Sequence, residues 1–182
     1  MFPKAHAVAY VMMAVRIAWF KIHIPRAYYC QFFSIRATAS DLSIMTSGLA
    51  AVQSKMHEIE TIRQTKTRKL EKKEEDLYDT LELCNEMYMR GYRIAPLSIT
   101  RSQATEYCFD PDDEKAIIPP FSAVDSLGEN VARSIAAARE ERPFISKEDL
   151  QRRTSLSKTL IERLDFLGAL EGLDEHDQLT LF

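Results

Sequence analysis

The stretch with the most readable chemistry is Phe121–Arg142, which predicts a short helix, a tight turn over Ser126–Asn130 and a longer helix beginning at Val131. Gly128 lies in this turn, where the missing Cβ leaves the backbone open to close approach. Bare amides beside a helix N-terminus form a site for an anion, most often a phosphate. The residues predicted to take part are Leu127, Gly128, Glu129, Asn130 and Val131.

A second copy of this pattern follows downstream. Asp125–Ile135 aligns with Thr154–Leu164 at an offset of 29 residues, and Ser157 stands where the first copy has Gly128. This replacement weakens the bare-backbone argument for the second turn, although hydroxyl and amine groups can still contact phosphate. The predicted contacts of the second turn are Ser157, Lys158 and Thr159. Two tandem helix–turn–helix units are therefore expected to organise the second half of the chain.

The tandem units have two interpretations. They could pack together as an inert helical domain, or their turns could hold the backbone of DNA. The repeat, together with the glycine of the first turn, favours DNA-backbone binding. Because such turns read backbone geometry and present no base-edge readers, the binding is expected to be independent of base sequence and strongly dependent on salt.

The end of the chain has a composition typical of a short binding motif. After a polar spacer, the last residues are Gln178, Leu179, Thr180, Leu181 and Phe182. Leucine and phenylalanine would fill an apolar pocket while the glutamine forms hydrogen bonds at its rim. The alternative is that this segment docks on the chain's own surface.

Lys4 and His6 lie at the start of a predicted N-terminal helix, Met1–His23. A helix N-terminus adds positive potential there, so these side chains could contact a nucleotide or a nucleic-acid backbone. A solvated first turn with an ordinary histidine is the simpler alternative. Arg16 and Lys21 interrupt the apolar run before it reaches the ~20 residues that a membrane span needs. We therefore predict a buried helix of a soluble protein and no membrane association.

The composition favours a mainly helical protein in a reducing compartment. Only 5 of the 182 residues are glycine, and little β-type alternation is present. The formal net charge of −3 excludes a global basic field, so any nucleic-acid site must be local. Cys30, Cys84 and Cys108 lack the spacing of a zinc site or a disulfide framework, and a cytoplasmic location is expected.

Between the N-terminal helix and the tandem units, the pattern predicts more helices and a small β-element. The aromatic residues of Ala27–Arg36 could stack on bases, but at this spacing they more often fill a helix interface. A third helical stretch is expected over Asp41–Ile59. The basic run within Thr61–Asp76 could touch phosphates, but its acidic neighbours make a solvated face at least as reasonable. Short strands are expected within Ile94–Ile118, the last two of them separated by a turn over Asp110–Asp113.

These motifs together resemble the C-terminal end of a PolC-type DNA polymerase III alpha subunit, the C-family replicative polymerase of low-GC Gram-positive bacteria. The resemblance covers essentially the whole chain. The segments that carry it are FPKAHAVAYVMMAVRIAWFK, RSQATEY, IIPPFSAVDSLGENVARSIAAAREE, SKEDLQRRTSLSKTLIERLDFLGALEGL and QLTLF. The implied domains are the helical end of the fingers (1–60), a charged helical connector (61–95), a β-element with tandem helix-hairpin-helix units (96–173) and a flexible tail (174–182).

The resemblance assigns a role to each part. The fingers lie beside the nascent base pair, the tandem hairpins grip the product duplex, and the terminal pentapeptide docks in the hydrophobic cleft of the sliding clamp. It implies that Lys4 and His6 contact the incoming nucleotide or the template. It implies that the clamp contacts are Gln178, Leu179, Leu181 and Phe182. Thr180 replaces the serine of the family pattern at the position that points least into such a pocket, so no loss is expected.

The resemblance also implies chemistry that lies outside this chain. No catalytic or metal-ligating residue is expected in it, because the sequence lacks the acidic palm cluster beside a Gly-Ser loop. The full polymerase would use Mg²⁺ for nucleotidyl transfer, whereas this chain, expected to be a piece of something larger, would bind no cofactor and be inert alone. Its expected partners are double-stranded DNA, the sliding clamp and the remainder of the polymerase chain.

Two other classes stay open from the residues alone. One is a free-standing helix-hairpin-helix protein that assists DNA repair and carries a clamp peptide. The other is a structural helical interaction domain. An in-frame polymerase palm upstream of Met1 separates the first class from the polymerase, and binding to random duplex DNA separates the second.

Overall fold

The computed structural model describes residues 3–176, and helices account for most of them. The elements in chain order are α1 (Lys4–His23), α2 (Pro25–Ile35), α3 (Leu42–Met45), α4 (Leu49–Thr65), α5 (Lys72–Met89), β1 (Arg93–Ile94), β2 (Cys108–Phe109), β3 (Ala116–Ile118), a 3-10 turn (Phe121–Ala123), α6 (Glu129–Glu141), α7 (Lys147–Arg153) and α8 (Lys158–Phe166). The predicted fold class, mainly helical with a small β-element, is confirmed.

The N-terminal half is built around a core to which α2, α4 and α5 contribute. Tyr29 and Phe33 of α2 are buried in one cluster with Val52 of α4 and Leu81 of α5. Full burial of a large apolar side chain stabilises a fold by about 1.5–3 kcal/mol, so these aromatic residues support the fold. The interpretation of the aromatic stretch as a helix interface is confirmed.

The helical stretch predicted over Asp41–Ile59 is interrupted. Asp41 caps α3, because its carboxylate accepts hydrogen bonds from the backbone N–H groups of Ser43 and Ile44 at 3.1 and 3.3 Å. Gly48 then adopts a φ of +97°, a backbone conformation that residues other than glycine rarely adopt, and α4 begins at the next residue. The chain therefore forms two helices here, and the prediction of a single one is wrong.

Helix α1 exposes its apolar side chains. None of its residues is buried, and Trp19 and Phe20 are 51% and 49% exposed. Its C-terminal end is fastened to α5, where Lys21 Nζ lies 2.6 Å from Glu86 Oε2 and Arg90 donates a 2.9 Å hydrogen bond to the Lys21 carbonyl oxygen. The prediction of a buried helix is wrong, because the described elements that contact α1 leave none of its residues buried. α1 is also long and apolar enough to cross a membrane, a property that it shares with core helices of soluble proteins and with signal sequences.

The β-element is a three-stranded sheet in the order β1-β3-β2. β1 pairs with β3 in parallel, with Arg93 opposite Ala116, and β2 pairs with β3 antiparallel, with Cys108 opposite Ile118. The predicted turn between β2 and β3 is present, although the strands are only two or three residues long. The sheet joins the two halves of the chain, since Ile117 lies in the N-terminal core.

A second core holds the tandem units together. It contains Phe121, Ile135, Leu150 and Leu164, each with 0% exposure. Leu42 of α3 belongs to the same cluster, so the N-terminal half contacts this core directly.

Candidate nucleic-acid interface

The first hairpin is shorter at its start than predicted, and its second helix begins earlier. Residues 121–123 form a single 3-10 turn, and α6 starts at Glu129 with Gly128 as its N-cap. Glu129 and Asn130 therefore belong to the first turn of α6, and the prediction that the helix begins at Val131 is wrong by two residues. The chain reverses at Ser126, whose φ is +68°, and Gly128 is extended at φ −69° and ψ 155°.

Gly128 leaves the start of α6 bare. It provides no side-chain cap, and a Cβ built there would have no atom within 4 Å. The fold of the described chain thus does not itself require glycine at this position. The first N–H groups of a helix have no partner within the helix. In α6 they belong to the residues that follow Gly128, of which Glu129 and Asn130 are exposed.

The predicted contact residues of the first turn divide into two kinds. Leu127 is buried, with 4% exposure, and Val131 packs partly buried against the same core. Gly128, Glu129 and Asn130 are exposed. The two apolar side chains hold the turn on the core, so they can offer only backbone groups to a ligand.

The second hairpin repeats this geometry with a different cap. α7 starts at Lys147 after its N-cap Ser146, which accepts a 2.9 Å hydrogen bond from Asp149 N–H. α8 starts after Ser157, which has φ −75° and ψ 159° and accepts a 3.3 Å hydrogen bond from Leu160 N–H. Ser157, Lys158 and Thr159 are all exposed.

The sequence repeat is also a structural repeat. Leu127 and Leu156, which are equivalent across the 29-residue offset, are both buried, with 4% and 5% exposure. Ile135 and Leu164 are a second equivalent pair with 0% exposure. The two units also touch at the second turn, where Ser155 N–H donates to Ser134 Oγ of α6 at 3.5 Å.

Asp125, just before the first turn, lies between two basic side chains from distant parts of the sequence. Lys73 Nζ of α5 is 3.4 Å from its Oδ1, and Arg163 Nη2 of α8 is 3.4 Å from its Oδ2. All three side chains are about half exposed or more. The first turn is therefore held between α5 and the second unit by solvent-accessible ion pairs.

A buried carboxylate organises the second unit. Asp149 has 0% exposure and accepts hydrogen bonds from three arginines: Arg142 (2.8 and 3.2 Å), Arg152 (2.8 Å) and Arg153 (3.2 Å). Burial acts to raise the pKa of the Asp149 carboxyl, but the hydrogen bonds from Arg142 and Arg153 outweigh it and hold this pKa below its ordinary value. The sequence analysis missed this network. The only sign of this network in the sequence is the presence of three arginines within seven positions of Asp149.

Lys4 and His6 lie on a helix that does not pack on the hairpins. Both are exposed on the first turns of α1, and the His6 ring packs edge-on against the ring of Tyr10 with centroids 4.6 Å apart. Among the described elements, α1 packs mainly on α2, which follows it in the chain. The predicted nucleotide contact of Lys4 and His6 stays a prediction.

The predicted clamp contacts Gln178, Leu179, Leu181 and Phe182 lie outside the described residues. The segment just before them is fixed to the second unit. Lys147 N–H donates to the Asp174 carbonyl at 2.8 Å, and Lys147 Nζ pairs with Asp165 at 2.8 Å and with Glu175 at 2.6 Å. Asp174 and Glu175 of the spacer therefore lie beside the start of α7.

Among residues 3–176, no group of three or more His, Cys, Asp or Glu side chains is placed to hold a metal ion.

Comparison with known proteins agrees with this geometry. Residues 91–179 match the helix-hairpin-helix motif family. All 182 residues align with DNA polymerase III PolC-type of Streptococcus pneumoniae at 51% identity, and with the proteins of the same name from Lactococcus lactis and Streptococcus sanguinis at 50% identity. The chain spans about one eighth of the length of these relatives, 12% of the first and 11% of the second. The resemblance to PolC-type DNA polymerase III is confirmed.

Proposed function

We propose that this chain, a relative of part of PolC-type DNA polymerase III, holds duplex DNA for a replicative polymerase by its phosphate backbone, without regard to base sequence. The observation that carries this proposal is the pair of equivalent helix N-termini at Gly128 and Ser157, each preceded by a leucine buried in one shared core. Of the two, only the first lacks a side-chain cap; the extended conformation by itself is ordinary for an N-cap residue.

The physical basis is the affinity of a helix N-terminus for an anion. The first amides of α6 have no side-chain cap, and Gly128 adds no side chain that would keep a phosphate away. Leu127 anchors the turn in the core, so the amides are already in place before DNA arrives. Contacts of this kind carry no base information and are expected to weaken steeply with salt.

The second turn contributes in a different way. Ser157 already accepts a hydrogen bond from Leu160 N–H, so part of its capping capacity is used within α8. Its hydroxyl proton and the exposed amine of Lys158 remain suitable for a phosphate oxygen. We therefore assign the closer backbone contact to the first turn and the more charge-based contact to the second.

We further propose that the tail binds the sliding clamp through Gln178, Leu179, Leu181 and Phe182. Support comes from the sequence of the pentapeptide and from the anchoring of the spacer beside α7. A tail that begins beside the DNA-binding hairpins would link the chain to a clamp on the same DNA. The effective concentration of the hairpins near the duplex would then be high, so each release of the duplex would be followed by rebinding. Processivity would be the result.

The wider activity is assigned to the polymerase of which this chain would be a part. We propose that metal-dependent nucleotidyl transfer, with its Mg²⁺ ions, is performed by segments outside this chain, and that the chain alone is inert. The exposed apolar surface of α1 would then be covered by the remainder of the polymerase chain, in the cytoplasm. Similarity over all 182 residues of this chain to PolC-type polymerases favours this assignment over an accessory protein.

The proposal is tested by measuring the binding of the full chain to labelled random-sequence duplexes over a range of KCl concentrations. We expect an affinity that is equal for unrelated sequences and that falls linearly in log K against log salt. Gly128→Leu should weaken binding at least tenfold, because its side chain blocks the amides. Ala50→Leu, which introduces the same residue at an exposed position of α4, should bind DNA like the parent. A flat salt response of the parent would contradict the proposal.

A further inference from the structure

A groove of about 700 Å³ runs along the first hairpin turn and has a wall from another part of the fold. Residues 122–128 form one side, and residues 38–40 form part of the other. The remaining wall is the start of α5, with Lys72, Lys73 and Asp76. The bare start of α6 thus faces a channel to which the charged connector contributes side chains.

The structure divides the basic run of the connector into two groups. Arg63 pairs with Glu60 at 3.2 Å, and Arg68 pairs with both carboxylate oxygens of Glu74 at 2.5 and 2.6 Å. These arginines are occupied by acidic neighbours along the chain. Lys72 and Lys73 differ, because they line the groove opposite the hairpin turn.

The groove is lined by two lysines and two carboxylates, Lys72 and Lys73 with Asp76 and Asp125. Lys73 and Arg163 both lie 3.4 Å from Asp125, so this carboxylate is compensated from two sides. Because Arg163, which does not line the groove, also compensates Asp125, the two lysines are not fully neutralised by the carboxylates beside them. Lys73 is 70% exposed, so its amine can turn from Asp125 to a phosphate without loss of core packing.

We propose that Lys72 and Lys73 are further DNA-phosphate contacts, and that the strand held by the first hairpin turn runs through this groove between the turn and α5. The inference rests on the proposed duplex binding and extends it onto the connector. Each strand of duplex DNA presents one negative charge per 3.4 Å of helix axis, so a strand gripped at Gly128 brings neighbouring phosphates into the groove. The connector then takes part in binding through two lysines, and its paired arginines face solvent.

The test compares two double variants that remove the same charge. Lys72→Gln/Lys73→Gln removes the two lysines that line the groove. Lys66→Gln/Lys69→Gln removes two exposed lysines of the same run that do not line it. With random duplex DNA, we expect the slope of log K against log salt to become shallower by about 0.9 for each phosphate that is no longer neutralised, near 1.8 for the groove variant. The control variant should keep the slope of the parent. Thermal unfolding of both variants verifies that they fold.

The outcomes distinguish this inference from the proposal on which it rests. If Gly128→Leu weakens binding but the two double variants give equal slopes, the groove assignment is wrong and duplex binding by the hairpins stands. If the parent shows no salt-dependent duplex binding, both are wrong. A shallower slope confined to Lys72→Gln/Lys73→Gln supports the groove as a path for the strand.

Discussion

Gly128 and Ser157 lie 29 residues apart and hold nearly the same backbone conformation, φ −69°, ψ 155° and φ −75°, ψ 159°, at the N-caps of α6 and α8. They differ in what they do with it. Ser157 closes its own helix with a hydrogen bond from Leu160 N–H, whereas Gly128 leaves α6 without a side-chain cap. The same backbone conformation therefore stabilises α8 at one site and leaves the first amides of α6 accessible to a ligand at the other.

This difference predicts unequal effects of substitution on stability. Ser157→Ala should lower the free energy of unfolding by about 1 kcal/mol, because it removes an N-cap hydrogen bond. Gly128→Ser should not lower it, since the extended φ suits serine and a Cβ meets no atom there. Urea denaturation followed by circular dichroism measures both. Equal destabilisation by the two variants would mean that Gly128 has a structural role.

Removal of the tail should separate clamp binding from DNA binding. Deletion of Gln178–Phe182 is expected to abolish binding to an isolated sliding clamp, because it removes the apolar anchors of the motif. Binding to duplex DNA should be unchanged. Surface plasmon resonance with immobilised clamp and anisotropy with labelled duplex measure the two affinities. Thr180→Ser is the matched control and should bind the clamp like the parent. Undiminished clamp affinity after the deletion would contradict the assignment of the tail as the clamp-binding segment.

The buried Asp149 predicts an acid-sensitive second unit. Because its pKa is lowered in the folded chain, its contribution to stability is fully present above the unfolded value of about 3.9 and is lost as the pH falls through the lower folded value. Asp149→Asn should cost about 2–3 kcal/mol at pH 7, since Arg153 keeps only 12% exposure beside it. It should also flatten the fall in stability below pH 4.

The control for this prediction is Glu148→Gln. It makes the same change of charge on the same helix at a side chain that is 55% exposed, and it should alter stability by less than about 0.5 kcal/mol. Chemical denaturation of the three proteins between pH 3 and pH 7 provides the comparison. Parallel pH profiles for the parent and Asp149→Asn would show that the carboxylate is not the acid-sensitive group.

The exposed surface of α1 predicts that its first part adds nothing to the stability of the described fold. Deletion of residues 1–15 should leave the unfolding midpoint unchanged, because none of the α1 residues is buried and the contact of Lys21 with Glu86 is kept. Binding of a hydrophobic dye should fall as this apolar surface is removed. A large drop in the unfolding temperature would mean that α1 folds back on the chain in solution.

Local pattern was sufficient for the tandem units. The 29-residue repeat lies within short stretches, so the equivalence of Leu127 with Leu156 and of Ile135 with Leu164 could be read from the sequence. That both pairs are buried was found only in the structure. The aromatic residues of α2 and the strand-turn-strand of β2 and β3 were predicted for the same reason. Each depends on neighbours that are close along the chain.

Features that depend on distant neighbours emerged only in three dimensions. The apolar pattern of α1 predicts burial, but burial needs a covering element, and the described chain supplies none. The residue with left-handed backbone in the first turn is Ser126 and not Gly128, which is extended. Lys73 meets Asp125 across 52 positions, a contact that no periodicity encodes. Local sequence was enough to identify the turns that could bind phosphate. The packing of α5 and α8 against the first turn selected the side chains that share that site.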